Sequence, residues 1–282
     1  MSKAFMFAGQ GAQKVGMASD AKHIKRVKEL FEIAESKRKG IVDLMLGGEQ
    51  DELNRTINTQ PAMFLADLAY AYKAEEEGGA PSAVCGFSVG EIPALVYAGA
   101  LSAEDGFELI DTRARLMDKA CGEHGGKMVA VIGLEPEKVE ALAGGFADCW
   151  AVNYNAPLQT VVAVGDASYA EFLAAVKSGG GRAIPLKVSG AFHCPYMNEA
   201  SVGLEKALEK MSFKEPRIPV YANLTAKPYA GGESERKELL FRQVCSPVKF
   251  TDTVRNMLAA GIDEFVEVGP GSVLTGLIAK IR

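Results

Sequence analysis

AVCGFSVGE, residues Ala83 to Glu91, decides how the rest of the chain is read. Ala83-Val84-Cys85 has the apolar character of a buried strand end. Gly86 and Gly90 stand where a sharp strand-to-helix turn needs residues without a β-carbon. The EIPALVYAGAL that follows continues as an apolar-striped helix. Strand, tight turn and helix together form an elbow that lifts a serine oxygen to the top of a sheet, so Ser88 is a candidate nucleophile. A structural Ser/Gly turn is the plainer alternative. Pro93 falls near the first turn of the helix, where it is expected to forfeit a helical bond.

Outward from the elbow, strands and helices alternate. KAFMFAG reads as an opening strand, and HIKRVKELFEIAESK and PAMFLADLAYAYKAEEEGG carry helical periodicity. A longer helix starts near Ser102, where Ser102-Ala103-Glu104-Asp105 resembles a capping box. This alternation predicts an α/β domain with a mostly parallel sheet. From Lys127 the rhythm changes to strand KMVAVIGL, helix EPEKVEALAGG, strands CWAVNYN and QTVVAVG, helix DASYAEFLAAVKSGG and strand RAIPLKV. That β-α-β-β-α-β order is ferredoxin-like. The expected organisation is a large domain over residues 1–126 and 190–282, with a small inserted subdomain over 127–189. The large domain closes with a helix at 198–211, a strand IPVYANL, the helix DTVRNMLAAG, the strand EFVEV and the helix SVLTGLIAKI. A site between two such lobes is the default expectation.

Composition excludes several classes. A formal net charge of −5 over 282 residues gives no support for nucleic-acid binding. No apolar stretch is long enough to span a membrane, and the start lacks the pattern of a secretory leader. The five cysteines are scattered without Cys-x-x-Cys spacing, and read as reduced thiols of a cytoplasmic protein. Two glycine-rich turns fail as nucleotide sites. Met17 stands where a P-loop needs lysine after Gly11 and Gly16, and Leu274 replaces the third glycine after Gly269-Pro270-Gly271. No histidine has a ligand-type neighbour at helical spacing, so no metal is expected.

A serine nucleophile needs a base, and the chain has three histidines. His23 sits among Lys22, Lys25, Arg26 and Lys28, a solvated helix face. His124, in CGEHGGK, reads as part of a flexible connection. His193, in VSGAFHCPYM, lies where the small lobe returns to the large one and is the best general base. Arg113 stands out on the helix EDGFELIDTRARLMDKAC. At about 100° per residue, Phe107, Leu109, Ile110, Ala114, Leu116, Met117 and Cys121 cover one half of the wheel, and Arg113 lands in its middle. Arg115 falls on the opposite half with Asp111 and Asp118. An inward arginine needs an anionic partner. An internal carboxylate and a substrate carboxylate gripped by the planar fork both satisfy that need.

With these residues assembled, the chain resembles the malonyl-CoA:acyl carrier protein transacylases of bacterial fatty acid synthesis and the acyltransferase domains of polyketide synthases. FAGQGAQKVGM, TQPAMFLADLA, GFSVGE, TRARLM, NYNAPLQTVVAVG, GAFHCPYM, SPVKFTDTVRNM and EVGPGSVLTGL carry the resemblance in order along nearly the whole chain. It implies an α/β-hydrolase-like large domain with a ferredoxin-like insertion. It also implies that Ser88 is acylated, that His193 activates it, and that a backbone carbonyl near Gln243 orients the histidine. The N–H groups of Gln10 and Val89 would form the oxyanion hole. Arg113 would hold a malonyl carboxylate, while Asn155 and Phe192 would line the cleft. The implied partners are malonyl-CoA and acyl carrier protein, with no resident cofactor, and a monomer is the default.

The chain departs from that pattern at three places, the smallest being Val89 after the serine, where leucine or isoleucine is common. Phe87 stands where the family usually has histidine, which changes the polarity beside the elbow, and YANLTAKPY replaces a more usual Asn-Val-Asp-Ala, leaving Asn223 without an assigned role. A discrete acyltransferase of polyketide synthesis or of a malonate decarboxylase keeps the same residues. A serine esterase or thioesterase fits less well, because its histidine usually lies near the chain end.

Overall fold

Eight strands form among residues 2–282, which the computed structural model describes. They are β1 (Lys3–Phe7), β2 (Ala83–Gly86), β3 (Lys127–Ile132), β4 (Cys149–Ala156), β5 (Gln159–Val164), β6 (Arg182–Pro185), β7 (Val220–Tyr221) and β8 (Glu264–Val268). They divide into two sheets. The first runs β7-β2-β1-β8 and every pairing in it is parallel. Its central strands are buried on both faces, which is why they read as unbroken apolar runs rather than alternating ones. Phe5, Phe7 and Val84 pack with Phe64, Leu95 and Phe107 on one side. Ala4, Met6, Ala83 and Cys85 pack with Val254, Met257 and Leu277 on the other. The period-2 alternation of β1 thus feeds two helical layers.

The second sheet is antiparallel, in the order β4-β5-β3-β6. That is the ferredoxin-like order expected from β-α-β-β-α-β. Val129, Val131, Val162 and Val164 turn toward the helices Pro136–Ala143 and Tyr169–Ser178 through Val139, Phe172 and Val176. The opposite face, with Met128, Ala130, Val161 and Ala163, belongs to the core cluster of the larger body. The edge strand β4 is also stitched to that body: Val248 N donates to Val152 O at 2.8 Å and Tyr154 N to Val248 O at 2.9 Å.

Several local expectations need correction. The helix expected from Pro61 starts at Thr56 and runs to Gly78, so Pro61 lies inside it. Proline removes the bond to Ile57 O, and Arg38 Nη1 donates to that carbonyl at 2.7 Å instead. Pro93 costs nothing, because it is the third residue of the helix Glu91–Tyr97, where N–H groups have no intrahelical acceptor. The strand expected over IPVYANL shrinks to Val220–Tyr221, and the helix expected at 198–211 ends at Glu209. His124 is no loose connection: it ends the helix Ala103–His124 and stacks on Tyr196 with centroids 4.9 Å apart. Ser102 does cap that helix, accepting from Asp105 N at 3.0 Å.

Asp67 is the anomaly of the core. It is fully buried beneath β1 and β8, and neither carboxyl oxygen has a hydrogen-bond partner among the described residues. Burial, with a smaller contribution from Glu267, pushes its carboxyl well above the ordinary carboxylate range. An acid with a raised folded pKa stays protonated while the unfolded chain ionises, so its contribution to stability falls as pH rises above about 4. Asp67→Ala is expected to stabilise the protein by about 1–3 kcal/mol near neutral pH, the usual cost of an unsatisfied buried polar group. The gain should be smaller at pH 4.5 than at pH 7.5 in urea unfolding; an unchanged or lower midpoint at both would contradict it.

Candidate active site

The elbow is built by backbone crowding. A β-carbon on Gly86 would sit 2.0 Å from Gly90 C, and one on Gly90 would sit 2.4 Å from Phe7 O, so neither position admits a side chain. Between them Ser88 is held at φ 53°, a left-handed conformation that a non-glycine residue adopts only when its surroundings over-determine it. Asn223 supplies that constraint: its Oδ1 accepts from Ser88 N at 2.8 Å and its Nδ2 donates to Gly86 O at 2.6 Å. The side chain that had no assigned role therefore pins the elbow from both sides.

His193 reaches Ser88 from the segment that follows the small sheet. Its Nε2 lies 2.7 Å from Ser88 Oγ, and its Nδ1 lies 2.9 Å from Gln243 O. A carbonyl can only accept, so Nδ1 carries the proton and Nε2 is left free to take one from the serine. Burial first, and the nearby Arg113 charge second, hold the imidazole down to about 4. The ring is neutral at physiological pH, as a proton acceptor must be. Gln243 stands in the place that a carboxylate occupies in a Ser-His-Asp triad.

Arg113 is 2% exposed and completes the cluster. Its Nη1 donates to Gln60 Oε1 at 2.7 Å, and its Nη2 donates to Ser88 Oγ and Gln243 Oε1, both at 3.1 Å. Every one of these acceptors is neutral, and among the described residues no carboxylate lies within 4 Å of the guanidinium. Burial lowers the group to about 10, which still leaves it charged. The internal ion pair left open by the helical wheel is absent. Arg115, on the outer half of the same helix, takes Asp111 as its partner at 2.6 Å.

Ser88, His193 and Arg113 meet in a cavity of about 580 Å³ between the two sheets, which Gln10, Asn155 and Phe192 also line. Phe87 lines it too, its ring edge-on to Phe250 at 5.5 Å. Val89 is buried directly behind the nucleophile. Among the described residues no group of His, Cys, Asp and Glu is placed to hold a metal ion, and no helix is long and apolar enough to cross a membrane.

Ser88, with a buried imidazole to take its proton and a buried cation beside it, is arranged for attack on an acyl group. The family model described as an acyl transferase domain matches residues 4–280. The chain belongs to the acyl transferase family. It is 38% identical to the malonyl CoA-acyl carrier protein transacylase of Escherichia coli (strain K12), over 99% of this chain and 92% of that protein. It is also 38% identical to the polyketide biosynthesis malonyl CoA-acyl carrier protein transacylase PksC of Bacillus subtilis (strain 168), over 99% of this chain and 96% of that one. The crystal structure of an acyl-carrier-protein S-malonyltransferase from Burkholderia pseudomallei 1710b superposes with a TM-score of 0.94 at 37% identity, covering 100% of this chain and 94% of that one.

In this acyltransferase three residues at the centre of the site have no role that the sequence alone assigns. Gln60 holds Arg113, Asn223 holds the elbow, and Glu91 accepts from Gln243 Nε2 at 2.8 Å. All three are polar side chains at most 2% exposed. Gln60 carried a faint signal, a glutamine amid the apolar run TQPAMFLADLA. Glu91 carried none, because a glutamate opening a helix is common there for its interaction with the helix dipole.

Proposed function

We propose that this acyltransferase carries a malonyl group from malonyl-CoA to the phosphopantetheine thiol of an acyl carrier protein, through a malonyl ester on Ser88, supplying extender units for fatty acid synthesis. The observation that carries the proposal is Arg113: a fully buried guanidinium with only neutral partners, in hydrogen-bond contact with the nucleophile. Burying a charge whose hydrogen-bond partners are all neutral is costly, and a carboxylate delivered by the substrate offsets that cost where the chemistry happens.

Ser88 Oγ gives its proton to His193 Nε2 as it attacks the thioester carbon. The oxyanion forms facing the N–H groups of Gln10 and Val89, a kind of donor worth roughly 3–4 kcal/mol each. The C–S bond breaks and the departing CoA thiolate takes the proton from His193. In the second half the carrier thiol gives its proton to His193 and attacks the ester, and Ser88 Oγ recovers a proton as it leaves. Each half passes through one covalent ester, so ping-pong kinetics follow. The chemistry calls on no metal or redox cofactor. Asn155 and Phe192 shape the cleft wall around the acyl group.

A cytoplasmic monomer, organised as residues 1–126 and 190–282 around a small unit at 127–189, belongs to the same reading. The five thiols are unpaired, and the second sheet uses residues 127–185 alone, which supports it. A polyketide carrier as acceptor is the second reading, favoured by the similarity to PksC. The test is intact-mass analysis after separate incubation with malonyl-CoA, methylmalonyl-CoA and acetyl-CoA, followed by discharge onto fatty-acid and polyketide carrier proteins. A malonyl adduct discharged by the fatty-acid carrier is expected. Free malonate without an adduct would indicate a hydrolase, and discharge onto the polyketide carrier alone would select the second reading.

A further inference from the structure

Behind the reacting groups lies a second, fully buried layer of polar side chains. Glu91 is inaccessible to solvent, and its carboxylate accepts from three directions. Tyr229 OH donates to Oε1, Asn223 N lies 3.3 Å from both oxygens, and Gln243 Nε2 donates to Oε2 at 2.8 Å. Gln243 in turn touches every part of the site. Its backbone carbonyl accepts from His193, its Nε2 donates to Ser88 O at 2.7 Å, and its Oε1 accepts from Arg113.

A carboxamide can sit either way round, and only one way works here. With Nε2 inward and Oε1 outward, Arg113 gains an acceptor. Reversed, the amide would present its NH2 to a guanidinium, donor against donor. The inward end faces Ser88 O, Asn223 Oδ1 and the Glu91 carboxylate, and of these the carboxylate is the charged acceptor.

We propose that Glu91 is a positioning residue for acyl selectivity: as a carboxylate it locks the Gln243 amide with Oε1 toward Arg113, and so fixes the guanidinium in the pose that receives a substrate carboxylate. The inference rests on the malonyl reading of the site. It predicts that selectivity for a carboxylated acyl group over an unsubstituted one depends on the ionisation of Glu91. A neutral acid accepts more weakly from Gln243 Nε2, so the amide is held less firmly with Oε1 toward Arg113.

Burial raises Glu91 to about 7, opposed by Tyr229, Gln243, Asn223 and the Arg113 charge. The titratable groups around it keep their states between pH 6 and 8. Arg113, at about 10, stays charged, and His193, at about 4, stays neutral. Burial and the Glu91 charge push the Cys85 thiol up to about 12, and burial holds the Tyr229 phenol well above its ordinary value, so both stay neutral. Glu91 alone changes charge in that window.

The test is the ratio of malonyl to acetyl loading of Ser88, from single-turnover rates with malonyl-CoA and acetyl-CoA. In the wild type the ratio should fall about tenfold from pH 8 to pH 6, the scale of one hydrogen bond to a charged group, through loss of malonyl loading. A malonyl carboxylate does not titrate there, and CoA phosphate effects cancel in the ratio. Glu91→Gln should show a low ratio that no longer varies with pH. Tyr229→Phe removes a bond that favours the carboxylate, so it should move the wild-type midpoint to higher pH. Should Glu91→Gln fail to fold, the wild-type and Tyr229→Phe profiles decide alone. A ratio flat with pH in active wild-type enzyme, or both acyl groups weakened alike, would overturn the inference. Wild-type enzyme that never loads malonyl would instead sink the reading beneath it.

Discussion

Ser88→Ala is expected to leave a folded protein that forms no acyl adduct with any acyl-CoA and transfers malonyl about 10^6-fold more slowly than the wild type. That magnitude is what removal of the nucleophile costs in a serine enzyme whose base and oxyanion donors remain. The buried thiols cannot take over. Cys85, Cys121 and Cys194 are buried, and burial holds them up near 12, 11 and 12 respectively, so their thiols stay protonated. The fold should survive, because the bond that pins the elbow runs through Ser88 N and not its side chain. Alanine keeps the backbone amide and fits the same space. Intact-mass labelling, with thermal unfolding alongside, checks both halves; a malonyl adduct on the variant would move the nucleophile elsewhere. In the wild type, single-turnover acylation should decline as pH falls toward about 4. There His193, depressed by burial, takes up a proton and ceases to be a base.

What the sequence showed, and what it hid, divides along one physical line. Gly86, Ser88 and Gly90 were legible because backbone crowding acts over four residues, and glycine leaves a plain mark where nothing else fits. Arg113 was legible because helical periodicity places a charge among apolar neighbours, and no knowledge of its partners was needed. The small sheet was legible because its β-α-β-β-α-β rhythm lies in one uninterrupted stretch. The helix start at Thr56 was hidden because the group that relieves Pro61 is Arg38, on another element. Asn223, Glu91 and Tyr229 were hidden for the same reason. Their partners lie 132 to 138 residues away, and a buried amide or carboxylate looks in sequence like a surface one. The resemblance to the transacylases supplied roles for Gln243, Gln10 and Val89 that no local pattern could have assigned.

Arg113→Ala is the second variant with a large expected effect, and its signs differ between substrates. Malonyl loading should fall about 10^2–10^4-fold, the range for leaving one partner of a buried charge pair unpaired. Acetyl loading should hold or rise, because an unsubstituted acyl group never used the cation. Stability should not suffer as it would for an ordinary buried side chain. The guanidinium is buried against neutral acceptors only, so its removal relieves a desolvation cost while opening a cavity. A third consequence follows from charge alone. Arg113 helps to hold His193 low, so without it the acid limb of acetyl loading should move to higher pH. The malonyl carboxylate would act in the same direction in the wild type: by neutralising Arg113 it makes His193 a stronger base at the moment a proton must leave Ser88. Single-turnover loading with both CoA esters between pH 4 and 8 tests all three. An acid limb that stays in place would show that the Arg113 charge does not reach His193. Equal losses for malonyl and acetyl would show that Arg113 holds the elbow rather than the substrate.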